Sequence, residues 1–343
     1  MLSFIIRYLT YVLFGLAVFM TGIIENTDPV LAQSGAKPGA ASGELILYTS
    51  QLPEDAERTV QAFLKRHPDV DVSWLRNGTS KVMAQLRKEI VTGDLKPDVI
   101  LIADSMNMEW LKQRGHLWTY SKAPVDDFPA SIIDPERTYF GTKFITTLIA
   151  YHTNVKKPKS WSDLLGDTAR DQVIMPNPRY SGGATIHLGT LSTAPAVGWK
   201  FFENLARNGG VSVRGNGNTI KAVARGDKHY AIVVDFLARN YKRNGAPIDY
   251  IFPTEGVSAI TEPVAIMNKA RNKEAARAFV DFILSDEGQQ LVTDQGMIPA
   301  KRGISPPEDF PSINKIKVIP SDVPQILKSN DQNKERFAEL FGG

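Results

Sequence analysis

Short apolar runs and amphipathic segments alternate through residues 44–113 of this chain. The run at 98–102 is almost wholly apolar, as expected of a parallel strand that is buried on both faces. Between such runs, Ala56, Val60 and Phe63 recur at the 3.6-residue period of an α-helix. The order strand–helix–strand–helix–strand–helix predicts a doubly wound α/β unit.

The middle of the chain repeats this alternation, with apolar runs at 172–175, 230–234 and 248–252 separated by helical segments. Two longer β-type runs, at 144–151 and 257–267, stand apart from the alternation. We interpret them as strands that cross between two lobes and form a hinge. The predicted fold is therefore α/β, with two doubly wound lobes joined by two crossing strands and a ligand cleft between the lobes.

The predicted domain boundaries follow from these runs. Lobe 1 comprises residues 44–147 plus 256–302, and lobe 2 comprises residues 148–255 plus 303–343. Near the C-terminus we predict one amphipathic helix at 272–292 and a short helix at 333–340. A coil-like tail from residue 301 precedes the short helix, and we expect this tail and the short helix to pack on the outside.

Residues 1–32 have the pattern of a secretory signal. Arg7 precedes an apolar stretch at 8–24, and Val30 and Ala32 occupy the −3 and −1 positions of a cleavage site. A retained membrane anchor is the alternative, because the apolar stretch is long. Residues 33–43 are rich in Gly, Ala and Ser and predict a flexible linker. Export of the body that follows points to the periplasm.

The composition excludes several classes of site. The chain has no cysteine, which removes disulfides, thiolate metal sites, cysteine nucleophiles and lipid attachment to cysteine. Its net charge is +3 with no block of like charge, so nucleic acid is not an expected partner. The motifs G-x-x-x-x-G-K-S/T, G-x-G-x-x-G, H-E-x-x-H and G-x-S-x-G are all absent, so neither a cofactor nor an enzymatic activity is expected.

Small polar residues follow several predicted strands and precede helices. In open α/β sheets ligands bind at this position, where helix N-termini offer free N–H groups to an anion. The same residue types are also the preferred N-caps of helices, which is the structural alternative for each of them. The adjacent glycines favour an anion-binding role for the segment at 181–183, since they permit close backbone approach. The candidate ligand-binding residues of this kind are Ser50, Thr79, Ser80, Asp104, Ser105, Ser181, Gly182, Gly183 and Ala184.

Two further candidates come from other positions. Asp235 ends the apolar run at 230–234, where its carboxylate is expected to contact an amine or hydroxyl group of the ligand, or else to cap a helix or form a salt bridge at the hinge. Tyr180, with Arg179, precedes the glycines and adds a stacking or hydrogen-bonding group to the same pocket. Arg179 is alternatively a solvated surface charge.

Several segments together resemble the extracellular solute-binding proteins of ABC transporters, in the branch that binds ferric iron, polyamines, thiamine and organophosphates. The segments are "ELILYTSQ", "PDVILIADS", "FGTKFITTLIAYHTN", "PRYSGGA", "AVARGDKHYAIVVD" and "EPVAIMNKARNKEAARAFVDFILSDEGQQLV". The resemblance covers most of residues 44–303. It implies a two-lobed, type II-like periplasmic binding fold that closes on a ligand and docks on an inner-membrane permease.

The resemblance also separates possible ligands. Ferric binders of this branch use tyrosines just after the strand that here reads "YAIVVD", whereas this chain has Asp235 and Phe236 there. Relatives that bind phosphorylated or phosphonate compounds use a Ser-Gly-small motif, which residues 181–184 match. We therefore expect a monomeric periplasmic protein that captures a small oxyanion-bearing solute without a cofactor or metal. The alternatives are ferric iron, a polyamine held by Asp235 with Glu255 and Glu262, and, remotely, a secreted enzyme acting on phosphate esters.

Overall fold

The computed structural model describes residues 41–342 of the chain. The predicted signal at 1–32 and most of the predicted linker lie outside the described residues. Of the linker, residues 41–43 are described: Ala41 is buried, and the first strand begins at Gly43. None of the helices within 41–342 combines the length and apolar composition that crossing a bilayer requires.

Strands and helices alternate through most of the described chain. The strands are β1 Gly43–Thr49, β2 Val70–Arg76, β3 Val99–Leu101, β4 Phe140–His152, β5 Val173–Pro176, β6 Val211–Val213, β7 Tyr230–Val234, β8 Ile248–Ile251, β9 Ser258–Ile266 and β10 Ile298–Pro299. The α-helices are α1 Pro53–Arg66, α2 Thr79–Thr92, α3 Ser105–Gln113, α4 Gly182–Thr193, α5 Gly198–Arg207, α6 Asn216–Ala224, α7 Asp235–Arg243, α8 Lys273–Leu284, α9 Asp286–Asp294 and α10 Val323–Phe341.

The strands form one curled sheet in the order β2-β1-β3-β9-β4-β7-β5-β6. Each end of this order is a set of three parallel strands, β2-β1-β3 and β6-β5-β7. The two long strands β4 and β9 run antiparallel to each other in the centre, where β9 pairs with β3 and β4 pairs with β7. The predicted two-lobed α/β fold is confirmed, and the two long runs are the strands that join its halves. The lobe boundaries stay a prediction.

Apolar side chains on both faces of the strands explain this arrangement. Every residue of β3 and of β7 is buried, because helices cover both faces of the parallel sets. Phe63 and Phe279 pack together in the core beside β1 and β3, with ring centroids 5.1 Å apart. Phe201 and Phe202 occupy the corresponding position beside β5 and β7. The apolar residues of the sequence therefore form a buried cluster on each face of each parallel set.

The single helix predicted at 272–292 is wrong, because the chain breaks into α8 and α9 at Ser285. Ser285 adopts an extended conformation, and its hydroxyl accepts a hydrogen bond from the Gly288 N–H at 3.1 Å. A Cβ on Gly288 would lie 2.1 Å from the Phe282 carbonyl oxygen, so this tight turn requires glycine. The apolar residues keep the same helical period on both sides of Ser285, so the periodicity of the sequence gives no sign of the break.

The short helix predicted at 333–340 is also wrong in extent, since α10 covers 19 residues. Asp322 caps its first turn, and the buried Ile326 packs against α4 at Gly189. At its other end Phe337 is buried beside Phe202, with ring centroids 6.4 Å apart. Ile326 and Phe337 therefore hold α10 against α4 and α5, while the rest of the surface of α10 is largely polar.

Candidate functional site

A cavity of about 420 Å³ lies at the carboxyl ends of the strands. The first turns of five helices, α1, α2, α4, α6 and α7, contribute to its wall. Ile145, Leu237 and Ile260 supply an apolar part of the wall. The volume falls within the range of roughly 300–1,000 Å³ that is typical of small-molecule sites.

Three of these helices present backbone N–H groups that have no acceptor among residues 41–342. The N-caps of α2 and α6 are Gly78 and Gly215, which have no side chain with which to cap. The first two N–H groups of α2, α4 and α6 find no protein acceptor, in contrast to those that follow them in each helix. Each helix N-terminus carries a partial positive charge of roughly half an elementary charge. The cavity therefore offers a set of amide donors suited to an anion.

Three cationic side chains line the same cavity: Arg76, Lys81 and Arg214. No carboxylate of the described residues lies within salt-bridge distance of any of them. Arg76 ends β2 and donates its Nε–H to the carbonyl of Gln51. Burial lowers the pKa of Arg76, and the charge of Glu54 opposes part of that effect. Arg214 lies over the ring of Tyr180, at 5.2 Å from its centroid.

Another part of the wall is acidic. Glu262 of β9 is buried and accepts a hydrogen bond from Lys143 Nζ at 2.6 Å. Asp55, in the first turn of α1, is also buried, and burial raises the pKa of its carboxyl group to about 6. Lys143 opposes that rise and Glu262 adds to it. The cavity is therefore polarised, with amides and cations on one part of its wall and carboxylates on another.

The structure brings most of the candidate residues predicted from sequence to this cavity. Those that line it are Ser50, Thr79, Ser80, Tyr180, Ser181, Gly182 and Gly183. Asp104, Ser105, Ala184 and Asp235 do not line it. Arg179, which was considered together with Tyr180, is exposed and does not line the cavity.

The hydroxyl of Ser181 acts as the N-cap of α4, which is the structural alternative to a ligand-binding role. It accepts hydrogen bonds from the Ala184 N–H and from Asn216 Nδ2, both at 3.3 Å. Asp104 caps α3 in the same way, accepting from the Asn107 N–H at 2.7 Å. Ala184 takes part in the first of these caps through its N–H, and Ser105 is the first residue of α3. The groups of this region that remain free to meet a ligand are the N–H groups of Gly182 and Gly183.

The carboxylate of Asp235 faces the core between β7 and β4. One oxygen accepts from both the N–H and the hydroxyl of Thr146, at 2.8 and 2.7 Å, and the other accepts from the Phe236 N–H. Burial raises its pKa to about 6 despite these bonds. The side chain thus connects two strands and does not contribute to the cavity wall.

We expect Asp235→Ala to lower the free energy of unfolding by about 3 kcal/mol, because it leaves buried donors of Thr146 and Phe236 without an acceptor. Urea denaturation measures this change. Asp227→Ala is the control: its exposed pair with Arg225 should contribute less than about 1 kcal/mol. If Asp235→Ala instead weakens ligand binding without loss of stability, the carboxylate reaches the ligand.

Sequence reasoning missed the cations Arg76 and Arg214. Arg76 is the last residue of β2, and a cation at the carboxyl end of a strand is a signal that the sequence carries. Arg214 follows β6, a three-residue strand that periodicity could not detect. Its neighbours Asn216 and Gly217 form the first turn of α6, and Asn216 Oδ1 accepts from the Val234 N–H at 3.2 Å.

Within 41–342 no group of three or more His, Asp or Glu side chains is placed to hold a metal ion.

The chain matches the model of the bacterial extracellular solute-binding proteins over residues 94–322, which is more than half of its length. A sulfate-binding protein from Synechocystis sp. is 25% identical over 315 residues, covering 84% of this chain and 83% of that protein.

Solved structures share the fold. The periplasmic binding protein AfuA from Actinobacillus pleuropneumoniae, with fructose-6-phosphate bound, superposes with a TM-score of 0.79 at 21% identity, covering 88% of this chain and 99% of its own. Iron-bound HitA from Pseudomonas aeruginosa gives a TM-score of 0.75 at 17% identity, covering 86% and 99%. The family and the fold are those of transport binding proteins, which carry small solutes to the permease of an ABC importer. The chain belongs to the bacterial extracellular solute-binding protein family.

Proposed function

We propose that the protein captures a small organic oxyanion, such as a phosphate ester or phosphonate, in this cavity. It then delivers the ligand from the periplasm to an inner-membrane ABC permease, and it acts as a monomer. The main support for this proposal is the composition of the cavity wall. Backbone N–H groups without acceptors, from the first turns of α2, α4 and α6, line the same cavity as Arg76 and Arg214.

The charge balance of the cavity favours an anion. Removing amide groups and guanidinium groups from water is costly unless they find acceptors, and here the described protein supplies few. A phosphate or phosphonate group brings several acceptor oxygens and one or two negative charges. It therefore matches both the partial charges of the helix ends and the full charges of the arginines.

The size and the apolar part of the cavity support an organic ligand over a bare inorganic ion. A tetrahedral oxyanion alone would leave most of about 420 Å³ unfilled. Ile145, Leu237 and Ile260 offer apolar contact that such an ion does not need. The relatives agree with an oxyanion in general: one is a sulfate-binding protein, and another structure holds fructose-6-phosphate.

The other candidate ligands have less support. Of the three carboxylates considered for a polyamine, Glu262 alone lines the cavity. Asp235 is bound within the core, and Glu255 accepts hydrogen bonds from the Trp161 N–H and the Thr254 hydroxyl. A ferric site of protein ligands would need a cluster of anionic oxygens, whereas the cavity is lined by amides and cations over much of its wall.

We expect hexose 6-phosphates or phosphonates to raise the unfolding temperature of the purified protein, by an amount that grows with the ratio of ligand concentration to Kd. A thermal-shift panel that adds sulfate, thiosulfate, spermidine and ferric citrate measures this, and calorimetry then gives each Kd. A shift with ferric citrate alone, accompanied by a charge-transfer colour, would contradict the proposal. A shift with spermidine alone would contradict it equally.

A further inference from the structure

The acidic part of the cavity wall contains two carboxylates with oxygens that lack donors. The carboxylate of Asp55 receives no hydrogen bond from residues 41–342, although the residue is only 8% exposed. Glu262 uses one oxygen for Lys143 and has no donor on the other. Both residues line the same cavity.

These groups cannot serve the oxyanion itself. Carboxylate oxygens accept hydrogen bonds, and they repel another acceptor that carries negative charge. Lys143 balances one of the two carboxylates, so this part of the wall keeps one negative charge. Buried acceptors without donors are rare in proteins because each carries a desolvation cost. A ligand that brings hydrogen-bond donors would remove that cost.

We infer that Asp55 and Glu262 form a second subsite, which selects ligands that carry hydroxyl or ammonium donors beside the oxyanion. The inference rests on the proposed function, because the oxyanion places the remainder of the ligand against this wall. The protein therefore discriminates polar organic oxyanions from inorganic oxyanions and from esters with purely apolar substituents. Asp55 is the principal specificity residue, since its carboxylate has no cation bonded to it.

The position of Asp55 supports this role. Burial raises the pKa of its carboxyl group to about 6, so near neutral pH the folded chain holds an ionised group in a site that disfavours the charge. A folded-state pKa above the unfolded value means that this carboxylate lowers stability at neutral pH. By contrast, Glu57 of the same helix is exposed and does not line the cavity.

The test uses three probes and calorimetry. Methyl phosphate carries an oxyanion without a donor-bearing substituent, glucose 6-phosphate adds hydroxyl groups, and 2-aminoethylphosphonate adds an ammonium group. We expect the unmodified protein to bind at least one donor-bearing probe on the order of 10- to 100-fold more tightly than methyl phosphate. Preference for glucose 6-phosphate identifies hydroxyl donors, and preference for 2-aminoethylphosphonate identifies an ammonium donor; either result supports the inference.

Asp55→Asn keeps the shape of the side chain and removes its charge. We expect it to abolish the preference, while the affinity for methyl phosphate stays the same or rises because one negative charge leaves the cavity wall. The unfolding temperature should stay the same or rise. Glu57→Gln is the matched control on the same helix, because Glu57 is exposed and does not line the cavity, and it should change none of these affinities.

Two contrary results separate the inference from the proposed function. If methyl phosphate binds as tightly as the other two probes and Asp55→Asn changes nothing, the donor subsite is wrong and oxyanion capture stands. If none of the three probes binds the unmodified protein, oxyanion capture itself is wrong, and the inference fails with it.

Discussion

Gly217→Asp should reduce oxyanion affinity on the order of 100-fold or more while leaving the protein as stable as before or slightly more stable. Gly217 is in the first turn of α6 and lines the cavity, and a Cβ there would meet no atom within 4 Å. A carboxylate at this position repels a bound anion by about 4 kcal/mol at a separation of about 4 Å and a surface-like dielectric response. It also stabilises the N-terminus of the helix by about 0.3–1 kcal/mol. Affinity and stability are therefore expected to change in opposite directions.

The control for this prediction is Gly217→Asn, which has the same shape without the charge. Calorimetry with the best ligand from the panel gives the affinities, and urea denaturation gives the stabilities. The Asn variant should bind close to the unmodified level. Equal losses for Asp and Asn would show that bulk, and not charge, disturbs the site, and unchanged binding in both would place the anion elsewhere.

Gly182→Ala should lower both stability and affinity, because Gly182 lies against the loop that leads into α3. A Cβ on Gly182 would lie 2.4 Å from Asp104 Oδ2 and 2.6 Å from the Ala103 carbonyl oxygen. The carboxylate can move, but the backbone carbonyl cannot, so the N-terminus of α4 must shift away. We expect a loss of about 1–3 kcal/mol in unfolding free energy from this crowding. Displacing the Gly182 N–H from a bound anion should cost on the order of 10- to 100-fold in affinity.

The adjacent glycine provides the matched control. A Cβ on Gly183 would have its nearest neighbours at 3.6 Å from Ile260 Cδ1 and 3.7 Å from Val234 Cγ1, which is ordinary contact. Gly183→Ala should therefore leave stability and affinity nearly unchanged in the same two assays. Indistinguishable behaviour of the two variants would mean that the close approach at Gly182 is unimportant for the site.

The two glycines show how the structure changed an interpretation made from sequence. Both were expected to permit close approach of the backbone to a ligand. The structure leaves both N–H groups free, but it shows that Gly182 is small because α4 packs against the start of α3. Asp104 and Gly182 are 78 positions apart, and no local pattern relates them. A glycine that is needed for packing and a glycine that is needed for a ligand look the same in sequence.

Asp235 and Arg214 are two more residues whose roles do not follow from the sequence. Asp235 was expected to reach the ligand and does not line the cavity, whereas Arg214 was not expected and does. Asp235 ends a strand as a ligand-binding carboxylate would, yet its oxygens are held by Thr146 of β4, which is 89 positions earlier. Arg214 follows a strand of three residues that gives no periodic signal, yet it lines the cavity. In each case the deciding neighbour comes from a distant part of the chain.

The sequence by itself determined the α/β class, the alternation of strands and helices, the two long central strands and the caps at Ser181 and Asp104. These features depend on periodicity and on hydrogen bonds between residues three or four positions apart, which the order of residues specifies directly. Tertiary structure decided which strand-end groups face the cavity, where the helix at 272–292 breaks, and that Asp55 and Glu262 share one wall. Those outcomes depend on the desolvation and contact of residues that only folding brings together.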